Sequence, residues 1–175
     1  MAGKIPTERE VLGYFRSLSN WGRWGAEDQK GTLNLITPEK TRRAISLVTE
    51  GANISCARTI LFEPSPDVQF SPVHFMVESG DGWATGDKTT NRVIQAASDF
   101  FGMVFHGFTI THMDSLAHFF WEGKMYNGRP ANLISTSLGA TAESIEVAKD
   151  GIVTRGVLVD VPMIRGIDWV ERGEG

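Results

Sequence analysis

The strong helix signals of this chain lie in its first 51 residues, and strand-forming residues dominate the rest. Thr7 and Glu10 have the spacing of a capping box, which predicts a first helix that ends near Ser19. Thr37 followed by Pro38 predicts a second helix that Gly51 ends. β-branched and aromatic residues then predict strands over 53–62, 69–77, 102–113 and 152–161, with a short helix over 142–149. The chain shows neither an internal repeat nor a linker-like stretch, so we expect one domain over residues 1–175.

Charge and cysteine content exclude several classes of protein. Lys and Arg number 17 against 21 for Asp and Glu, a net charge of −4 with no basic block, so we expect no nucleic-acid partner. Cys56 is the single cysteine, which indicates a reducing compartment. The longest run without a charged residue, 100–113, has 14 residues and is too short to span a bilayer. The N-terminus lacks the apolar core of a signal peptide, so we expect a cytoplasmic protein with no membrane partner.

Three of the four histidines fall within residues 106–118, HGFTITHMDSLAH. On a strand, alternate residues share a face, so His112 and Asp114 project side by side. An imidazole and a carboxylate placed like this suit a divalent ion such as Zn or Mn. If the chain turns into a helix at Ser115, His118 lies next to Asp114, and an imidazole there suits a general base.

The spacing leaves a second interpretation open. His112 and His118 are then ordinary structural histidines, and Asp114 caps a helix that begins at Ser115. H-x-D-x-x-x-H is a loose pattern, and a catalytic zinc usually has three protein ligands. Spacing alone therefore does not decide between the two interpretations.

The segment THMDSLAH resembles the signature H-x-G-T-H-x-D-x-P-x-H of the cyclase-like metal-dependent hydrolases, the family of bacterial kynurenine formamidase and isatin hydrolase. The resemblance implies that His112 and Asp114 are metal ligands and that His118 is the catalytic acid/base. Phe108 stands where the family has a histidine, so one expected ligand is missing. Ile110 and Leu116 likewise replace the glycine and the proline of the signature.

His106 lies two residues before the missing ligand position. On a strand, two residues correspond to about 6 to 7 Å, which is too far to replace a ligand without a bulge. We therefore expect His106 to contact the substrate. The alternative is that His106 simply packs against Phe105 and Phe108.

Two flanking segments, NWGRWGAEDQKGTLNLITPEK and HFFWEGKMYNGR, are similar to a larger-bodied branch of the same family. The resemblance implies an α/β fold, the cyclase-like swivelling β/β/α arrangement with a mixed sheet flanked by helices. It also implies a homo-oligomer that hydrolyses a small amide, ester or lactone, of the arylformamidase or cyclic-amide type, with water activated by Zn or Mn. The alternative function is a non-catalytic or inactive metal- or ligand-binding protein of the same fold. Phe108 motivates that alternative.

Two further expectations concern apolar residues. Family members run beyond residue 175 and take further ligands from their C-terminal part, so we expect a domain that lacks this part. The strand predicted over 152–161 would then expose an apolar patch. Tryptophans 21, 24, 83 and 121 either line a pocket for a ring-bearing substrate or pack in the core.

Overall fold

A computed structural model describes residues 5–66, 68–86 and 94–171 of the chain. The backbone divides into two compact units. The first unit consists of residues 1–51 together with 114–175, and the second unit consists of residues 52–113.

The first helix, α1, spans Glu8–Ser17 and confirms the predicted capping box. The Thr7 hydroxyl accepts the Glu10 amide at 3.3 Å, and the Glu10 carboxylate accepts the Thr7 amide at 2.7 Å. Both bonds satisfy backbone donors that the first turn leaves without an intrahelical partner. The Phe15 ring of α1 stacks on Trp121, with 4.2 Å between ring centroids. This contact attaches α1 to the segment that follows the histidines.

The second helix, α2, spans Pro38–Ile45 and begins as predicted, with the Thr37 hydroxyl accepting the Lys40 amide. The predicted end at Gly51 is wrong, because the helix ends at Ile45. Leu47 and Val48 follow the end of the helix, and both side chains are exposed. Apolar positions that a short helix does not bury add little to its stability.

The rest of the first unit consists mainly of short turns. Its 3-10 helices lie at Gly31–Leu35, Leu116–His118, Tyr126–Gly128, Ala131–Leu133 and Ile145–Ala148. A small antiparallel pair joins β3, Ile134–Ser135, to β4, Gly139–Ala140. The turn at Ile145–Ala148 takes the place of the helix predicted over 142–149.

Asn127 fastens the glycine- and tryptophan-rich loop of the first unit. Its Oδ1 accepts the Gly22 amide at 2.7 Å, and its Nδ2 donates to the Gly25 and Asp28 carbonyls at 3.1 and 3.0 Å. Asn127 has a left-handed backbone with φ 57, which asparagine tolerates better than most residues. The loop is therefore ordered by hydrogen bonds from a residue about a hundred positions away.

In the second unit, β1, Val73–Glu78, pairs antiparallel with β2, Ser98–Gly102. The strand predicted over 69–77 is thus confirmed in part. A short helix, α3, spans Asp81–Ala84. The strands predicted over 53–62 and 102–113 are wrong, because neither stretch forms a strand beyond Gly102. Their β-branched residues favour extended backbone, but a strand also requires a hydrogen-bonding neighbour.

Residues 151–160, which we call the apolar segment, belong to the first unit. The strand predicted over 152–161 is wrong, because residues 151–160 lack regular structure, whereas the expected exposure of apolar side chains is observed: Val157, Leu158 and Val159 are 78%, 86% and 70% exposed. Helix α4, Val161–Arg165, follows, and the Asp160 carboxylate accepts the Met163 amide at its start. Proline in the first turn of this helix loses no hydrogen bond, since that amide would have no partner there.

The buried side chains are few. Among the described residues they include Ser115, Ala117, Met125 and Glu143 in the first unit and Val68, Thr109 and Ile110 in the second. Four of these residues, Thr109, Ile110, Ser115 and Ala117, belong to the histidine-containing segment 106–118. No helix in the described ranges is long and apolar enough to cross a membrane.

Candidate metal centre

The histidine motif, residues 106–118, is a continuous segment that turns instead of forming a strand. Gly107 has φ 75, a conformation that glycine adopts without steric cost. The chain therefore reverses after His106, and the His106 and His112 rings come to 5.6 Å between centroids, with their planes at 80°. A regular strand would keep His106 about 6 to 7 Å from the missing ligand position, but residues 106–114 do not form a strand.

His106, His112 and Asp114 form a group of candidate ligands. One ligand atom from each lies within 4.8 Å of the others. All three residues lie within the continuous stretch 106–114. His112 and Asp114 are half-buried and His106 is exposed. Two imidazoles and one carboxylate form a donor set that suits a divalent ion with an open coordination position.

The tautomer of His112 follows from its hydrogen bond. Its Nδ1 lies 3.0 Å from the Ile110 carbonyl oxygen, which can only accept, so Nδ1 carries the proton. Nε2 is then the nitrogen with the lone pair that a metal requires. Metal-binding histidines are commonly oriented in this way by a bond from the other ring nitrogen.

Asp114 and His118 form a hydrogen-bonded pair within the first unit. The predicted turn after Ser115 is confirmed as the single 3-10 turn Leu116–His118, and it brings the His118 Nδ1 to 2.9 Å from the Asp114 Oδ1. The carboxylate accepts, so the proton lies on Nδ1 and Nε2 is the basic nitrogen. Their side chains are 40% and 25% exposed, which leaves the pair in contact with solvent.

Sequence reasoning did not find Arg58. Its backbone amide donates to the Thr111 hydroxyl at 2.8 Å, and its guanidinium donates to the Phe108 carbonyl at 2.6 Å. Both bonds hold the turn between His106 and His112 from a distance of about 50 residues along the chain. Contacts this remote leave no local pattern in the sequence.

A second group of residues missed from the sequence lies in the first unit, and we call it the polar cluster: Asp28, Asn34, Tyr126, Arg129 and Glu143. Asp28 accepts the Tyr126 hydroxyl at 2.9 Å and the Asn34 amide at 2.7 Å. Burial alone would raise the pKa of Asp28, but hydrogen bonds from Asn34, Gly31 and Tyr126 outweigh it and lower the pKa below 3.8. Burial, with the bond to Asp28, raises the pKa of Tyr126 to about 12. At neutral pH, Asp28 is therefore ionised and Tyr126 is protonated.

The other sequence-predicted residues have separate environments. His74, the fourth histidine, is not in the ligand group and bonds to Asp99 across the β1–β2 pair at 3.2 Å. Trp21 packs on Gly128, and the guanidinium of Arg23 covers the Trp24 ring at 4.8 Å. In the described residues, clefts of about 590 and 510 Å³ in the first unit are lined by none of the histidines.

Comparisons with known proteins give the following result. The chain is similar to a solved structure described as a novel cyclase, with 34% sequence identity and a TM-score of 0.76. The match covers 85% of this chain and 49% of that one, so the chain spans about half the length of that structure. No protein-family model matches the chain, and no curated protein matches it. The predicted cyclase-like α/β fold is confirmed, here as small antiparallel sheets with helices.

Proposed function

We propose that this chain carries the metal-binding and proton-transfer residues of a hydrolase that attacks a small amide, ester or lactone with water. One observation supports the proposal above all others: a single turn-rich segment brings together three candidate ligands and a His–Asp pair. The similarity to a structure described as a cyclase supports an enzyme fold.

The proposed ligands are His106, His112 and Asp114. The family resemblance expects a histidine at Phe108, whose side chain is 82% exposed, and His106 offers an imidazole in its place. His106 thus takes a ligand role in this proposal, in preference to the substrate contact expected from sequence. A set of two nitrogens and one oxygen favours Zn or Mn over Mg or Ca, which prefer oxygen ligands.

A divalent ion held by this set would polarise the substrate carbonyl and lower the pKa of water toward ~7. The protein itself supplies the proton transfer. His118 accepts the proton of the attacking water at Nε2 and returns it to the leaving nitrogen or oxygen. Asp114 holds the His118 ring in the tautomer that this transfer requires, and its charge stabilises the imidazolium that forms.

The proposal is tested by hydrolysis of a panel of formamides, lactones and isatin by protein reconstituted with Zn or Mn. We expect turnover of at least one class by the wild type. His118→Gln should keep the ion and lose about 100-fold or more in kcat, the usual contribution of a general base. His112→Ala should lose both the bound ion and the activity. His74→Gln is the matched control, since His74 lies outside the ligand group, and it should keep both.

Two results would contradict the proposal. Full activity in His118→Gln would remove the general base. A wild type that binds the ion tightly but hydrolyses nothing on the panel would favour the alternative function, a non-catalytic binding protein of the same fold.

A further inference from the structure

Glu143 combines two unfavourable features at one residue. Its side chain is fully buried, and neither carboxylate oxygen has a hydrogen-bond partner among the described residues. Its backbone is also left-handed, with φ 56, which is costly for a residue that has a Cβ atom. Strain and an unsatisfied buried group persist only where the surroundings enforce them, and they concentrate at functional sites.

The surroundings of Glu143 come from two other segments of the first unit. The Gln29 Oε1 accepts the Glu143 amide at 2.7 Å. The Arg129 Nε lies 3.9 Å from the Glu143 Oε1, close enough for attraction between charges but not for a hydrogen bond. Burial raises the pKa of Glu143, and Arg129 opposes this effect. Gln29 therefore holds the backbone of residue 143, and Arg129 attracts its side chain.

The carbonyl of Glu143 faces the turn that carries His118. It accepts the amide of Ala117 at 3.2 Å, and Ala117 is fully buried. Ala117 lies in the 3-10 turn that places His118 beside Asp114. A shift of residue 143 would therefore move the turn on which the Asp114–His118 pair depends.

We propose that Glu143 is a positioning residue for Asp114 and His118: its buried side chain, set against Arg129, fixes the carbonyl that anchors Ala117. The part of this inference that concerns catalysis rests on the proposed function. The side chain contributes its volume and its orientation toward Arg129. Glutamine preserves both features, whereas alanine removes them.

The experiment measures amide hydrogen exchange in the metal-free protein, which requires no activity. In Glu143→Ala, exchange at Ala117 should accelerate about tenfold or more relative to Trp121, whose amide bonds to the Lys124 carbonyl. Glu143→Gln should stay within about threefold of the wild type. Glu146→Gln, at an exposed residue of the same segment, is the matched control and should change nothing. With a substrate in hand, Glu143→Ala should lower kcat about tenfold or more and change KM less than about threefold.

If Glu143→Ala does not fold, Gln29→Ala removes the acceptor of the Glu143 backbone amide and should accelerate exchange at Ala117 in the same way. Unchanged exchange at Ala117, or an increase matched at Trp121, would overturn the proposal, since the residue would then act on stability alone. Local acceleration at Ala117 in a protein that hydrolyses nothing would support the positioning role and would contradict only the proposed hydrolase activity.

Discussion

The polar cluster and the apolar segment both belong to the first unit, yet their side chains differ in the contacts that they make. The polar cluster has little regular secondary structure around it, but side chains within it are hydrogen-bonded to one another. The Tyr126 hydroxyl donates to Asp28, 98 residues away along the chain, at 2.9 Å, and the Asn34 amide donates to the same carboxylate at 2.7 Å. The apolar segment has a strand-like sequence, yet its valines and leucine are exposed. Matched hydrogen-bond donors and acceptors hold a loop in one conformation, whereas apolar residues stabilise a segment only when another surface covers them.

The largest effect is expected from Asp28→Ala. The substitution leaves the amide of Gly31, the amide of Asn34 and the hydroxyl of Tyr126 without their acceptor. Hydrogen bonds to a charged group contribute more than neutral ones, so we expect a loss of about 3 kcal/mol in the free energy of unfolding. Urea denaturation measures it. Asp168→Ala, at an exposed aspartate, is the control and should change stability by less than about 0.5 kcal/mol. Equal losses of unfolding free energy in Asp28→Ala and Asp168→Ala would show that the hydrogen bonds to Asp28 do not stabilise the first unit.

Two variants of Asn127 distinguish the contribution of its hydrogen bonds to stability from the contribution of its backbone conformation. Asn127→Ala loses the bonds to Gly22, Gly25 and Asp28 and keeps an unfavourable left-handed backbone, so we expect a loss of about 2 kcal/mol. Asn127→Gly loses the same bonds but adopts the backbone freely, so its loss should be smaller. Denaturation of both variants checks this order. The reverse order would show that the left-handed backbone at residue 127 is not costly for alanine.

The pH dependence of stability distinguishes two carboxylates of the polar cluster, Asp28 and Glu143. The pKa of Asp28 is lowered, so the unfolded state binds more protons in acid, and stability falls as the pH drops below 3.8. Burial raises the pKa of Glu143 above 4.5, so the folded state binds more protons, and stability falls as the pH rises through that range. Unfolding measured from pH 3 to 8 should show both slopes. Asp28→Asn should remove the loss of stability in acid, and Glu143→Gln should remove the loss of stability above pH 4.5. If either variant keeps the slope that it should remove, that slope does not come from the substituted residue.

The smallest effect is expected in the apolar segment. Leu158 is 86% exposed, so Leu158→Ser should change the free energy of unfolding by less than about 0.5 kcal/mol. The same substitution should reduce binding of a hydrophobic dye, or weaken self-association if copies of the chain cover this surface. A loss near 2 kcal/mol in a monomeric, dye-silent protein would show that the segment is buried within the chain.

Sequence reasoning found those features that depend on neighbouring residues. The capping box at Thr7, the cap at Thr37 and the pairing of Asp114 with His118 all follow from spacings of three or four residues. The strand predictions failed where a partner strand decides the outcome, as in 53–62 and the apolar segment. Arg58 and Glu143 stayed hidden because the residues that they hold are distant in sequence.

The position of His106 shows the same limit within the motif. The two-residue period of a strand separates His106 from the ligand position, but the turn at Gly107 brings its ring beside His112. A glycine in this position permits a turn but does not require one, so the sequence left the strand as the simpler expectation.

His106, His112 and Asp114 are proposed to bind one divalent ion, and competition with a chromophoric chelator tests this claim most directly. We expect one Zn or Mn per wild-type chain and affinities at least about tenfold weaker in His106→Ala, His112→Ala and Asp114→Asn. His74→Gln and His118→Gln should bind like the wild type, since neither residue is in the ligand group. Wild-type affinity in His112→Ala, or no binding by the wild type, would contradict the claim.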